Sequence, residues 1–292
     1  MGENISCRLV RTLDASATLR KMNAAKWDAR IERARELAAT YPFASEGLQF
    51  YECLTRFHKS AYSQIEVACG AAKPARPPAV LRQEFDAFLL LPQFATFLSV
   101  ITEIAPAPLA RFASEIRTRG GSYWQQTLLR FWEDGASAQM NSEPFEAMLS
   151  WLFLQPYAEY LADHTDSKPP SGAPSICPVC SSKPQVGALR PEGDGAKRSL
   201  ICALCATEWN YRRIVCPACG EEDVHKLAIY TAKELNHVRV EACDGCRSYL
   251  KTVDLTKDGH AVPVVDELAT IPLDLWAAEH SYQKLRTNLL GL

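Results

Sequence analysis

The chain has 292 residues, a net charge of −2 at pH 7 and 47% hydrophobic residues, a balance that describes a globular protein of two or three domains and excludes a disordered tail. Residues 171–257 carry 12 Lys and Arg against 10 Asp and Glu, a net +2, too weak a basic field to argue for nucleic acid. The opening Met1-Gly2-Glu3-Asn4-Ile5-Ser6-Cys7 has no apolar signal region and nowhere do 18 apolar residues follow one another, so a cytoplasmic protein without membrane insertion is expected.

From Trp27 the apolar positions Trp27, Ile31, Ala34 and Ala38 recur at helical spacing, with Asp28, Arg30, Glu32, Arg33 and Arg35 opposite, which predicts an amphipathic helix ending before Pro42. A second helix is predicted from about Leu48 to Val67, with Tyr51, Leu54, His58, Ala61, Tyr62 and Ile65 in one stripe. His58 lies on that stripe and reads as a packed histidine rather than a ligand. Lys73 to Ala79, with prolines 74, 77 and 78, is a connection. Further helices are predicted over Leu81–Leu90, Gln93–Ile104, Pro108–Arg117, Tyr123–Glu133 and Glu143–Ala162, divided by Pro92, Pro106, Gly120-Gly121 and Gly135, with Ser142 capping the last. Residues 1–165 therefore read as an all-helical domain whose aromatics, Phe94, Phe97, Trp132 and Phe153 among them, are packing. Residues 166–175 read as a linker by composition.

After the linker the texture changes. Val186, Ala188 and Leu189, the turn Pro191-Glu192-Gly193-Asp194-Gly195, and Leu200-Ile201 form a hairpin. Leu227 and Ile229, then Val238, Val240 and Ala242, repeat the layout; Tyr249, Lys251, Val253 and Leu255 alternate like one more strand. Leu275, Ala278, Tyr282, Leu285 and Leu289 fall in helical register, predicting a helix from Asp274 to Leu290.

These strands carry four Cys-x-x-Cys pairs within 70 residues: Cys177 and Cys180, Cys202 and Cys205, Cys216 and Cys219, Cys243 and Cys246. Each pair can turn both sulfurs toward one point and supply half of a tetrahedral thiolate site. Gaps of 21, 10 and 23 residues between successive pairs favour sequential pairing, two units of Cys-x2-Cys, hairpin, Cys-x2-Cys, spaced as structural zinc sites are. In a reducing cytoplasm these eight point to metal rather than disulfides, leaving Cys7, Cys53 and Cys69 as bystanders. Units this small need a metal to fold. Four thiolates suit zinc or a single iron equally. Gly220 can take the left-handed turn that a knuckle needs, whereas Ser181, Ala206 and Arg247 follow the other pairs and predict less regular turns. His225, His237 and His260 are superfluous beside a full set of thiols. There is no phosphate loop, Gly-x-Ser-x-Gly or His-Glu-x-x-His motif.

The Cys-rich half resembles the formate dehydrogenase accessory proteins of the FdhE type. The resemblance is carried by Ile176-Cys177-Pro178-Val179-Cys180, by Leu200-Ile201-Cys202-Ala203-Leu204-Cys205-Ala206-Thr207-Glu208-Trp209, by Cys216-Pro217-Ala218-Cys219-Gly220 and by Cys243-Asp244-Gly245-Cys246-Arg247-Ser248-Tyr249-Leu250-Lys251. Leu154-Gln155-Pro156-Tyr157-Ala158-Glu159 and the run from Asp266 to Ala277 agree as well. Ser181 departs from the glycine usual in the family's first knuckle.

The resemblance implies an α+β chain: an all-helical domain, two tandem rubredoxin-like or zinc-ribbon four-cysteine metal modules over 176–213 and 214–257, and a C-terminal segment 258–292 with a helix. It further implies a non-catalytic cytoplasmic factor that binds the catalytic subunit of respiratory formate dehydrogenase and is required for its activity. The eight paired cysteines would hold two mononuclear iron or zinc ions, and such proteins can dimerise. Glu208, Trp209, Tyr211 and Arg247 are expected on the partner-binding face, against the alternative that Trp209 packs on the knuckles. The competing readings are a rubredoxin-like redox carrier or thiol oxidoreductase, and a nucleic-acid-binding zinc ribbon, which the near-neutral charge weakens.

Overall fold

A computed structural model of the chain describes residues 25–69, 82, 85–134, 144–165 and 174–292. Cys7, the Pro-rich connection, the Ser142 cap and residues 166–173 of the linker lie outside the described residues.

The helical part comprises α1 (25–40), α2 (Ser45–Cys69), α3 (Ala87–Ile104), α4 (Ala107–Arg119), α5 (Gly121–Asp134) and α6 (Pro144–Asp163). One correction concerns α3, which runs unbroken through Pro92 where two helices were expected. Leu90, Phe94, Phe97, Leu98 and Ile101 form one buried face across the proline. Phe88, whose carbonyl Pro92 leaves without its helical donor, is 96% exposed, so water can take that bond. By length and composition alone α3 could cross a membrane, but its apolar face belongs to the helical core.

The central element is α6, buried on every side from Leu149 to Leu161 except at Gln155. A helix apolar all round must sit inside a core. Pro156 lies within it, and the carbonyl one turn earlier, that of Leu152, loses its backbone donor. His58 Nε2 stands 2.7 Å from that oxygen and donates to it. The histidine on the apolar stripe of α2 thus takes the place of the hydrogen bond that a proline in α6 removed.

The second half is one sheet of β1 (Pro184–Glu192), β2 (Gly195–Cys202), β3 (Glu208–Asn210), β4 (Leu227–Thr231), β5 (Val238–Cys243), β6 (Ser248–Asp254) and β7 (Gln283–Lys284). Its order is β3-β2-β1-β6-β5-β4, with β7 also pairing β6. The hairpins β1–β2 and β4–β5 lie where alternation placed them. What alternation did not show is that the two cysteine modules share the sheet: β1 pairs in parallel with β6 at Gly187↔Thr252, Ala188↔Val253 and Leu189↔Asp254. A Cβ on Gly187 would overlap the Thr252 hydroxyl, so the close approach at this seam requires glycine.

The chain end differs from expectation. Instead of one helix over Asp274–Leu290 there are two short ones, α7 (Pro263–Ala269) and α8 (Ile271–Glu279), followed by β7. Ser281 takes a left-handed conformation (φ 60°), and the Tyr282 N–H bonds the Ala277 carbonyl at 2.9 Å, a helix-ending turn. Beyond it Gln283 donates to the Arg247 carbonyl just before β6 and Leu285 to the Tyr249 carbonyl within it. Tyr282 and Leu285 are therefore spaced like a helix but flank β7, and Leu289 falls in a turn closed by the Gly291 N–H on the Asn288 carbonyl at 3.0 Å.

Candidate metal centres

The sulfurs gather as the spacing predicted. Cys177, Cys180, Cys202 and Cys205 form one group and Cys216, Cys219, Cys243 and Cys246 the other, each with all sulfurs within 4.8 Å of one another. Sulfur–sulfur distances are 3.6 Å for Cys177 to Cys205 and 3.3 Å for Cys180 to Cys202 in the first group. In the second they are 3.7 Å for Cys216 to Cys246 and 3.8 Å for Cys219 to Cys243. A disulfide would need about 2.05 Å. A tetrahedron with metal–sulfur bonds of about 2.3 Å has edges of about 3.8 Å, so both groups fit one four-coordinate ion. A cation at the centre of such a group would offset the charge of four thiolates held side by side.

One local turn is used four times. The residue after each second cysteine is left-handed: Ser181 at φ 59°, Ala206 at 53°, Gly220 at 80° and Arg247 at 58°. In three of them its N–H bonds the carbonyl of the first cysteine, Ser181 to Cys177 at 2.9 Å, Gly220 to Cys216 at 3.0 Å and Arg247 to Cys243 at 2.8 Å. Backbone N–H groups point at the sulfurs as a result, from Val179 to Cys177, Leu204 to Cys202 and Ala218 to Cys216 at 3.3–3.4 Å. The expectation of irregular turns at Ser181, Ala206 and Arg247 is thus corrected. The knuckle geometry overrides the steric preference of these residues against positive φ.

The two centres sit in unlike places. All four sulfur-bearing residues of the first are buried in the core that also contains Phe94, Trp132 and Tyr157. From α6, Trp151 Nε1 and Gln155 Nε2 donate to the Ala203 carbonyl, inside the second knuckle, at 2.9 and 3.2 Å. This explains the Leu154-Gln155-Pro156-Tyr157 stretch. At the second centre Cys219 is exposed and Cys246 half-buried. Beside Cys216 and Cys243 opens an apolar cavity of about 350 Å³ whose lining includes Ile214, Val224 and Ile229, each more than half exposed.

Of the side chains expected on a partner face, Trp209 is 2% exposed and its ring N–H donates to the Pro174 carbonyl at 2.9 Å. Tyr211 is buried too, its hydroxyl reaching the Cys216 carbonyl at 3.4 Å. Both serve as packing. Glu208 pairs with Arg190 at 2.7 Å, and Arg247, exposed, pairs with Asp244 at 2.8 Å and lies over the Tyr282 ring.

Two buried ion-pair clusters lie in the second half of the chain. Asp266 holds Arg33 of α1 at 2.6 Å and His237 at 3.0 Å, while Asp258 reaches the same guanidinium at 2.7 Å. His237, Asp258 and Asp266 are close enough for a metal, but Arg33 is the cation there. Glu267, the next residue of α7, and Asp274 of α8 hold the fully buried Lys251 at 3.1 and 2.6 Å, and both also bind Lys284. Burial works against the Glu267 charge, but Lys251 and Lys284 hold its carboxyl down to about 2. The run from Asp266 to Ala277 is therefore the clamp that ties α1, β6 and the chain end together. Nothing in its periodicity shows this, because ion pairs between distant segments leave no local spacing.

Residues 176–213 match the family model described as FdhE, central domain, and residues 214–290 the model described as FdhE, C-terminal domain. An FdhE homolog of Aquifex aeolicus (strain VF5) is 28% identical over 278 residues, covering 89% of this chain and 94% of that protein. A homolog from Pseudomonas aeruginosa is 40% identical over 123 residues, which is 40% of this chain and 39% of its own length. The crystal structure of the FdhE protein from Pseudomonas aeruginosa superposes with a TM-score of 0.66 at 24% identity, over 91% of this chain and 95% of that one, a likeness of fold.

Proposed function

We propose that the chain is a member of the FdhE family, whose central and C-terminal models match residues 176–213 and 214–290, and, from that premise, a non-catalytic cytoplasmic accessory factor that binds the catalytic subunit of respiratory formate dehydrogenase and is required for that enzyme to become active. The observation that carries the reading is the closure of the four knuckles, in sequential order, into two complete four-cysteine groups within the span that the family models match. Two mononuclear ions, iron or zinc, would be held by Cys177, Cys180, Cys202 and Cys205 and by Cys216, Cys219, Cys243 and Cys246. The thiolates supply four ligands each and leave no open position, so the ions shape the fold rather than bind a substrate. The partner face in this reading lies at the second centre, where Arg247 and the apolar cavity beside Cys216 are exposed; Glu208 is its other accessible member.

An anaerobic pull-down of the tagged chain from its native cells, with metal analysis, tests this. Recovery of a formate dehydrogenase catalytic subunit, lost when Cys216 and Cys219 are changed to Ser while the helical domain stays folded, is the expected outcome. Recovery that survives those substitutions would move the partner face elsewhere, and failure to recover the subunit at all would reject the reading. Dimerisation is read in the same samples by light scattering. A redox-carrier role is favoured by one observation, the exposure of Cys219 at the second centre; it predicts visible absorption that bleaches reversibly on reduction.

A further inference from the structure

A divalent ion held by four thiolates carries a formal charge of −2. At the second centre water screens that charge, because Cys219 and Cys246 reach the surface. The first centre has no such help, with each of its four cysteines at most 3% exposed. A buried charge without a counter-ion is strongly unfavourable.

Two guanidiniums stand where the compensation is needed. Arg82 donates through Nε to the Cys180 carbonyl at 2.5 Å, through Nη2 to Ser182 Oγ at 2.8 Å and through Nη1 to the Trp132 carbonyl. It thereby joins α5 to the first knuckle. Arg286, from the chain end, is 7% exposed and lies over the Trp151 ring at 4.9 Å, and its Nε has no hydrogen-bond partner. Among the described residues no carboxylate pairs with Arg286. Burial pushes its pKa down to about 10, with the charge of Arg82 acting in the same direction and the Cys202 and Cys180 sulfurs opposing both. A buried Arg286 next to the part-buried Arg82, with no carboxylate on Arg286 among the described residues, makes sense if the anion is the thiolate centre itself.

We infer that Arg286, assisted by Arg82, is the counter-ion of the first metal centre, so that the ion, the helical domain and the chain end form one electrostatic unit. Loaded with a divalent ion, the centre and its two guanidiniums sum to zero. Stripped of it, the site loses the −2 charge that offsets the guanidiniums, and the buried Arg286 is left facing the part-buried Arg82. The two positions also favour the −2 charge of a divalent complex over the −1 of a trivalent one, so iron at this centre is held more firmly when reduced. Arg286 is a positioning residue for the ion and does not ligate it.

The inference rests on the reading of the first four cysteines as a metal centre, and zinc stoichiometry separates the two. The full chain should bind two zinc ions, falling to one when Cys177 and Cys180 become Ser; failure there rejects the centre itself. Arg286→Met is then compared with the wild type in zinc affinity and in thermal melting with and without metal. The expected result is at least a tenfold loss of zinc affinity at the first centre alone, with the metal-free protein melting no lower than wild type, because the substitution removes an uncompensated cation from that form. Arg286→Lys, which keeps the charge, should recover most of the affinity even if Arg286→Met folds poorly. Unchanged affinity in Arg286→Met, an equal fall in melting temperature of the loaded and stripped forms, or an Arg286→Lys variant no better than Arg286→Met would each overturn the assignment.

Discussion

Leu152 and Pro156 are one helical turn apart, and the prolyl nitrogen has no hydrogen to give the Leu152 carbonyl. His58 supplies it across the core at 2.7 Å. Replacing His58 by Leu leaves a buried acceptor bare, at an expected cost of about 1–3 kcal/mol. In a Pro156→Ala background, where the helix recovers its own donor, that cost should shrink. Urea denaturation of the two single variants and the double variant measures it, and strictly additive costs would refute the coupling. The same histidine sets an acid limit. Burial pushes its pKa down to about 4 from 6.5, so the unfolded chain takes up the proton first. Its contribution is intact above pH 6.5 and is lost as the pH falls toward 4, by up to about 3 kcal/mol. His58→Leu should flatten that portion of the stability profile. At Ala206 the direction is opposite: its φ of 53° suits glycine, and Ala206→Gly should raise stability by about 1 kcal/mol, seen as a higher melting temperature with both centres loaded.

Strands β1 and β6 belong to different cysteine modules, yet they are neighbours in the sheet. Parallel pairing demands a long crossover, and here the crossover is most of both modules, from β2 through β5. Gly187 opposite Thr252 is the tightest point of that seam. Gly187→Ala should cost about 1–3 kcal/mol by overpacking, and Thr252→Ala should return part of it, since the hydroxyl is the atom in the way. If Gly187→Ala melts like wild type, the seam is looser than the register implies. Helix limits followed from the turn residues Pro106 and Gly120, but α3 was divided at Pro92 and the last helix drawn too long. In both cases packing against a distant surface outweighed the local signal: a shared buried face carried α3 through its proline, and edge pairing with β6 drew residues 283–285 out of the helix.

Between the helical half and the rest of the chain run Arg33 to Asp266, Trp151 and Gln155 to Ala203, and Arg82 to Cys180. The first centre is buried in this junction and the second is not. Metal removal should therefore occur in two phases. A hydrophilic chelator is expected to take the ion from Cys216, Cys219, Cys243 and Cys246 quickly and the ion from the buried set only as the molecule opens. Release kinetics of the wild type against a Cys216→Ser variant assign the phases, and a slow phase that persists unchanged while the fast one disappears is the expected signature. Simultaneous release of both ions would show that the two modules open together.

The eight ligand candidates, their division into two sequential sets and the helical character of the first half were all legible in the chain, because ligand spacing and amphipathic period are local properties that survive without tertiary context. His58 and the aromatics Phe94, Phe97, Trp132 and Phe153 were rightly assigned to packing on the same grounds, whereas Phe88 is exposed. The tertiary structure alone decided that the modules share one sheet, that one centre is buried and the other open, and that Trp209 and Tyr211 lie inside. It alone also brought Arg82 and Arg286 to the first centre and Lys251 and Lys284 to Glu267. Burial and charge compensation depend on which distant segments meet, and residues far apart in sequence carry no mark of the neighbour that will neutralise or cover them.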